Sequence, residues 1–526
     1  MSTIPPSGRL LLLGLDGGEW TLIQRWAKEG LLPTFRRLLE EGASGELRST
    51  AAQFVDTVWS CLFTGVNPGK LDKYFYVQLQ PGTLRLSHVT DDAPCAPPFW
   101  DLLSWAGCRV GVVDAPKFPL SENLHGFQLT SWGAHATRTA RRSIPESLLH
   151  EVLSRYGPHP VGDCGPMSAR RDRVLAQFRP RFVSGVHLRG RLIRDLMQRE
   201  PWDVFLAVFS ETHCAGHHYW HFYDKDHPAH PEKDPLGLSN TLLAVYQAID
   251  REVGLALQQA GPEVTTFVFA AHGMGPLYHA TWNLQEMLDL LGYGARPREF
   301  AKSRDGRLNP YRMLRVGLPG WLQYRIKSTL PKRLQDHLLF NWYGGNRDWA
   351  RTRAFAVPSG DSVGAIRINL RGREPDGTVR PDEYDAVCRD LTEAFRELRD
   401  PDSGQPVVRQ VTKSRELFHG PYLDRLPDLT VLWNAERPWA ALESPRFGRL
   451  RVSSQDVRTG GHTPTGFVIA RGKGIPAGAR LTGHSTLDLA PTFLAAAGVK
   501  PPEDLDGRPL PCFSSPLLDQ RGVSAR

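Results

Sequence analysis

Apolar residues in this chain fall into short unbroken runs, and several runs end on a side chain able to bind a metal ion. Arg9-Leu-Leu-Leu-Leu-Gly-Leu15 leads into Asp16, Val204-Phe-Leu-Ala-Val-Phe-Ser210 into His213 and His217, and Val264-Thr-Thr-Phe-Val-Phe-Ala-Ala271 into His272. A strand with one wet face alternates apolar and polar residues. Continuous runs rich in Val, Leu and Phe instead predict strands buried on both faces, as in a parallel sheet. Arg109–Asp114 predicts another. Between the runs the apolar spacing becomes helical, over Trp20–Glu41 with a division at Pro33, over Pro98–Ala106 and over Ser239–Ala260. A short helix beginning near Asp56 or Thr57 is closed by the turn Gly65-Val-Asn-Pro-Gly69. This alternation predicts an α/β fold, a doubly wound, mostly parallel sheet flanked by helices. Ligands of such sheets sit beyond the carboxyl ends of the strands. Asp16, His213, His217 and His272 are therefore expected on one rim, joined by His462 from Thr459-Gly-Gly-His462.

After residue 295 the pattern changes. Gly317-Leu-Pro-Gly-Trp-Leu322 sits in a basic stretch, and residues 354–419 read as strand, helix (Asp382–Arg399) and strand with turn-rich links. The division expected is a core in two parts, 1–295 and 420–526, with 296–419 as an inserted cap. Asp428–Trp433 and Gly466–Ala470 read as core strands and Thr486–Gly498 as a final helix. The aromatic, basic segment Arg312–Arg333 reads as a solvated cap face, with contact to a membrane surface as the lesser reading.

At 526 residues, 41% hydrophobic and 23% charged, the composition is that of a globular protein, which excludes disordered and fibrous classes. The net charge of +8 favours anionic ligands in general. The positive residues are scattered, and no nucleic-acid-binding motif accompanies them, so no nucleic-acid partner is expected. Seven cysteines lie dispersed with no CxxC, as reduced thiols do. No apolar stretch approaches the roughly 20 residues that span a bilayer. With no signal-peptide pattern at the N-terminus, a cytoplasmic protein is expected.

Taken one at a time, the polar residues have plain structural readings. Asp16 could cap the helix near Trp20, and His213 and His217 could lie in a solvated loop that continues through His218, His221, His227 and His230. His272 could be a satisfied core histidine. The glycines around Asp16 do not make the G-x-G-x-x-G pattern of a dinucleotide site. Asn67-Pro-Gly-Lys70 lacks the spacing of a phosphate loop, although Lys70 or Lys73 could meet an anionic substrate. Asp428 has no chemistry to assign.

Taken together and in order, the motifs resemble the alkaline phosphatase superfamily, in particular its type I phosphodiesterase/nucleotide pyrophosphatase-like branch. The resemblance rests on Gly14-Leu-Asp16-Gly-Gly, Trp59-Ser-Cys-Leu-Phe-Thr-Gly65-Val-Asn-Pro-Gly69, His272-Gly-Met-Gly275 and Gly461-His462 before Gly466-Phe-Val-Ile-Ala-Arg-Gly472. The closing Leu487-Asp-Leu-Ala-Pro-Thr-Phe-Leu494 and Leu505-Asp-Gly-Arg508 extend it over nearly the whole chain. It implies an alkaline phosphatase-like core and one or two divalent metal ions, zinc above others. By position, Asp16, His272 and the attacking hydroxyl fall on one metal site, and His217 and His462 on the other. Cys61 lacks the following Pro and Arg of a sulfatase, which sets that branch aside.

Three departures from the family pattern bear on chemistry. Ala271 stands where the family carries an Asp before the His, and His213 where it carries an Asp four residues before His217. His213, His217 and His462 still make a three-histidine zinc set. Glu211 could restore a carboxylate if it turns toward the rim. Counted back from Gly65, the attacking hydroxyl falls on Val55, which has none. Thr57 is the nearest substitute, also as a metal ligand, and Ser60 the second.

The resemblance implies a hydrolase acting on a small anionic phosphate ester, a phosphodiester or nucleotide pyrophosphate, through a covalent phosphoryl-Thr or phosphoryl-Ser intermediate. Two alternatives stay open. One is a catalytically silent or one-metal member that binds an anionic ligand or partner; the other is a phosphoryl transferase or mutase.

Overall fold

The computed structural model describes residues 8–89, 96–133, 140–162, 167, 172–295, 347–359, 362–452 and 458–513. The basic segment Arg312–Arg333 lies outside them. Among the described residues no helix is long and apolar enough to cross a membrane.

The strands in chain order are β1 Leu10–Leu15, β2 Ala43–Arg48, β3 Val77–Leu79, β4 Leu86–His88, β5 Val110–Val113, β6 Gly126–Thr130, β7 Arg142–Ile144, β8 Val204–Phe209 and β9 Thr265–Ala270. They continue with β10 Gly273–Pro276, β11 Ala354–Val357, β12 Val363–Ile368, β13 Val408–Lys413, β14 Leu429–Trp433, β15 Ala441–Ser444, β16 Gly448–Arg451, β17 Gly460–Thr463 and β18 Thr465–Arg471. Eight of them form the main sheet in the order β2-β18-β9-β1-β8-β5-β6-β7. The five central strands, β9-β1-β8-β5-β6, run parallel. β18 and β2 continue the sheet antiparallel on one side and β7 on the other. Leu15 pairs with Phe209 and Gly14 with Phe269, so β1, β8 and β9 end at the same level. That common register is what brings Asp16, the helix after β8 and His272 to one rim.

Helices cover both faces, as the continuous apolar runs require. Leu11, Leu13, Leu15, Phe205, Ala207, Phe209, Val268 and Ala270 pack on one face against α1 (Trp20–Lys28), α2 (Pro33–Glu41) and two further helices, Asp172–Arg199 and Thr241–Ala260. Leu10, Leu12, Val204, Leu206, Val208, Phe267 and Phe269 pack on the other against α3 (Val58–Thr64), α4 (Phe99–Trp105) and the closing helix Leu489–Ala496. Each fully buried side chain of this size contributes about 1.5–3 kcal/mol. The sheet core therefore outweighs any single polar contact on the rim. Gly14 interrupts the leucines because a Cβ there would lie 3.3 Å from the Trp59 ring and 3.0 Å from Val208.

A second, antiparallel sheet has the order β11-β12-β14-β13. The helix Tyr384–Arg396 packs on it, with Leu391, Phe395 and Val387 in a core of their own. The pattern reading placed Asp428–Trp433 in the main sheet. Instead β14 pairs with β12 and β13, and the second sheet continues past residue 419. A short apolar run fits either sheet equally well, and only its pairing partners decide. Asp428, without a role from sequence, is a buried post of this sheet. Its carboxylate accepts from Ile368 N and the Tyr384 hydroxyl and faces the Arg373 guanidinium at 2.7 Å. Burial alone would raise its pKa; Arg373 outweighs burial and holds it below the usual carboxylate value.

Two predictions follow from these contacts. Phe493 is fully buried against Phe99, Phe267 and Phe269, so Phe493→Ala is expected to lower stability by about 3–5 kcal/mol in urea unfolding. Because the folded-state pKa of Asp428 is depressed, its contribution is present above the unfolded value near ~3.9 and is lost as pH falls through the lower folded one. Asp428→Asn should therefore destabilise at neutral pH and flatten the acid limb of a stability–pH curve.

A candidate metal centre on the rim of the sheet

α1 does not use Asp16 as its cap. Glu19 is the N-cap residue, and its side chain accepts from Thr21 N. Asp16 is left at the end of β1, where its Oδ1 accepts from the Trp59 indole Nε1 at 2.8 Å and lies 3.3 Å from His272 Nε2. His272 follows β9 directly, and its Nδ1 lies 3.1 Å from the Gly273 carbonyl oxygen.

His213 and His217 lie in the helix Glu211–Tyr223, which starts immediately after β8, and both are buried. The solvated-loop alternative fails for that reason. Four residues apart, they share one helical face, with ring centroids 4.5 Å apart. His462 comes from β17, which pairs antiparallel with β10 and sets His462 opposite Met274. His462 Nε2 lies 2.8 Å from His213 Nε2, and its ring centroid lies 4.4 Å from that of His272. His217 Nδ1 lies 2.7 Å from the Gly460 carbonyl oxygen. A carbonyl can only accept, so Nδ1 carries the proton and the lone pair is on Nε2.

The ligand atoms of His213, His217 and His462 lie within 4.8 Å of one another, the one such group among the described residues. They fit a divalent cation of borderline softness in their chemistry. All three are imidazoles, and His217 has its second nitrogen fixed by a carbonyl, as metal-ligating histidines do. Zn–N bonds of ~2.0–2.1 Å put tetrahedral ligand nitrogens roughly 3.3–3.4 Å apart. The 2.8 Å between His213 and His462 is a hydrogen-bond distance, so that pair must open slightly for loading.

Ala271 is fully buried in the apolar cluster behind the rim. Glu211 turns away from the rim. Its Oε1 lies 3.0 Å from Arg189 Nε and 2.9 Å from His159 Nε2. Arg189, itself fully buried, continues to Asp114 at the end of β5. Burial would raise the Glu211 carboxyl, but Arg189 and His159 outweigh it and hold the pKa at about 2. This carboxylate therefore belongs to a buried ion-pair chain.

Thr57 is fully buried in the 3-10 turn that opens α3, and its hydroxyl donates to the Phe54 carbonyl at 2.9 Å. Cys61, one turn on, lies against that hydroxyl. In this rotamer the Thr57 hydroxyl is taken up by the Phe54 carbonyl. Ser60 is buried in the first turn of α3. Val55 is buried with the core beneath. Lys70 pairs with Asp506 at 2.8 Å and donates to the Asp504 carbonyl, a structural clasp.

Sequence reasoning missed Trp59 as a partner of Asp16, Thr212, whose hydroxyl donates to the Asp16 carbonyl at 2.6 Å, and the orienting carbonyl of Gly460. Trp59 stood inside a recognised motif; a backbone carbonyl leaves no mark in sequence. A cavity of about 260 Å³ opens beside His462, lined among others by Trp20, Pro276, Ser362, Arg409 and Trp433.

The family model for type I phosphodiesterase / nucleotide pyrophosphatase matches residues 10–448. No curated protein matches the chain. The crystal structure of phosphonoacetate hydrolase from Sinorhizobium meliloti 1021 in complex with phosphonoacetate superposes with a TM-score of 0.50 at 14% identity, covering 94% of this chain and 100% of that one. Murine ectonucleotide pyrophosphatase / phosphodiesterase 5, inactive and in complex with AMP, gives 0.46 at 13% identity, covering 94% and 96%. The first likeness shows the alkaline phosphatase-like fold.

Removing Arg189 would strand two buried carboxylates. Arg189→Met is expected to cost about 3–5 kcal/mol in urea unfolding, whereas the triple change Arg189→Met, Glu211→Gln, Asp114→Asn should recover most of that loss.

Proposed function

This chain belongs to the type I phosphodiesterase / nucleotide pyrophosphatase family, a family of hydrolases acting on phosphate esters, and we propose that it cleaves a phosphodiester or nucleotide pyrophosphate with a divalent cation, zinc above others, on His213, His217 and His462. The observation that carries the reading is the convergence of those three imidazoles, from a helix and a distant strand, beside the Asp16–His272 pair. When bound, the cation would supply Lewis-acid charge to the phosphoryl oxygens and lower the pKa of water; neutral ligands leave that charge nearly whole.

The chain's own residues do the rest. His217, oriented by Gly460, and His213, held on the same helical face, fix the ligand geometry. Asp16 and His272 stand in contact at 3.3 Å. With Ala271 in the apolar layer, they make a poor second site, and we assign one ion to the three imidazoles. Thr57 is the attacking hydroxyl of a covalent route, with Ser60 behind it. To act, Thr57 must exchange its bond to Phe54 O for the substrate, which costs about 1 kcal/mol. That is small beside a chemical barrier. The cavity beside His462, with Arg409 and Trp433 from the second sheet, receives the leaving group. Five described cysteines are free, which suits a cytoplasmic setting.

A second reading is favoured by Val55 and Ala271, buried apolar residues where the family carries a hydroxyl and a carboxylate. It makes the chain a silent member that binds an anionic ligand.

Elemental analysis of the purified protein should find close to one equivalent of metal, lost in His217→Ala and in His462→Ala. Wild type should hydrolyse bis(p-nitrophenyl) phosphate, and Thr57→Ala should fall by roughly 10² or more. Metal without turnover would favour the silent reading, and full activity in Thr57→Ala and Ser60→Ala would remove the covalent route.

A further inference from the structure

We propose that Glu19 is a positioning residue that sets the β10–β17 strand pair against the rim and thereby tunes the cation affinity of the three-imidazole site; this rests on the metal reading above. The strand pair is a two-stranded extension outside both large sheets. The main sheet holds only its base, through β9 and β18. His462 lies on it, and His272 lies just before it. Where it stands over the rim is decided by contacts from elsewhere in the chain.

Ser362 places its hydroxyl 3.5 Å from the His462 carbonyl, and two further side chains make shorter contacts. From one side, His217 Nδ1 donates to the Gly460 carbonyl. From the other, Glu19 Oε2 accepts from Met274 N at 2.9 Å and from the Thr463 hydroxyl at 3.3 Å. Met274 is the cross-strand partner of His462, and Thr463 is its chain neighbour. One carboxylate oxygen thus touches both strands of the pair at the level of His462. The other oxygen, Oε1, caps α1, accepting from Thr21 N at 3.2 Å and the Thr21 hydroxyl at 2.8 Å. Glu19 N in turn donates to the Tyr246 hydroxyl at 2.7 Å. The turn that carries Asp16, the strand end that carries His272 and the strand that carries His462 are joined through this one buried carboxylate.

Two features separate this role from an ordinary helix cap. Ser, Thr, Asp and Asn are the preferred caps because a short side chain reaches the first turn. Glutamate is one methylene longer than aspartate, and that length is what spans to the strand pair. Gly273, next to His272, also keeps the space beside the carboxylate open. A Cβ there would lie 2.2 Å from Glu19 Oε2 and 2.5 Å from the Thr463 hydroxyl.

The test uses the full chain, stripped of metal and titrated with Co²⁺, followed by its visible absorption and by competition with Zn²⁺. Glu19→Asp keeps a good cap and gives up the reach; Glu19→Gln keeps the length and gives up one acceptor oxygen. Both are expected to bind about 10–100-fold more weakly than wild type, the range for loss of a residue that orients metal ligands, with altered Co²⁺ bands and an unchanged circular dichroism spectrum. Gly273→Ala, which displaces the carboxylate without removing it, and Thr463→Val should weaken binding in the same direction and serve if the Glu19 variants fail to fold. A folded Glu19→Asp with wild-type affinity and bands overturns the proposal. Wild type that takes up no Co²⁺ overturns the metal reading itself, and the proposal with it.

Discussion

The hydrogen bond from His217 Nδ1 to the Gly460 carbonyl closes a separation of 243 residues and couples the helix after β8 to the strand pair that continues β9 and β18. The rim depends on it. It fixes one tautomer of His217, directs the free lone pair toward His213 and His462, and holds Gly460 two residues from His462. No single element could bring the three imidazoles together, because β8 lies on one side of β1 and β9 on the other. Parallel strands ending in register provide the level, and this bond provides the closure.

Charge is distributed on the rim in a consistent way. The carboxylates that could have served as hard ligands are engaged elsewhere. Asp16 accepts from Trp59 and meets His272; Glu211 and Asp114 flank the fully buried Arg189; and Glu19 joins α1 to the β10–β17 pair. What remains for a cation is a set of imidazoles, softer and neutral, which suits zinc better than magnesium or calcium. A site that keeps the charge of its cation also attracts anions, in agreement with the family's phosphate-ester chemistry. The chain keeps the alkaline phosphatase-like fold with Ala271, His213 and Val55 at these positions.

That retention has a simple energetic basis. The apolar layers on the two faces of the main sheet contribute far more than the polar contacts above them. Rim residues can therefore change without endangering the sheet. The buried ion pairs are the exception, since losing one member leaves the other charge without a partner. One such group ties the rim to the core at Arg189, and another, at Asp428, lies within the second sheet.

The sequence by itself determined the parallel core and its rim. Unbroken apolar runs can be satisfied only by burial on both faces, so β1, β8 and β9 and the residues ending them were legible from local pattern. His213 and His217 could be paired because a helix repeat places i and i+4 on one face. Tertiary structure alone decided what depends on partners distant in the chain. A five-residue apolar run such as β14 fits either sheet, and its neighbours chose the second. Glu211 carries no mark of whether it faces a cation or an arginine, and Arg189 decided. The direction of the Thr57 hydroxyl and the orientation of His217 were set by the backbone carbonyls of Phe54 and Gly460, and every residue has a carbonyl. Periodicity records which side of an element is buried; it does not record which atom waits on the other side.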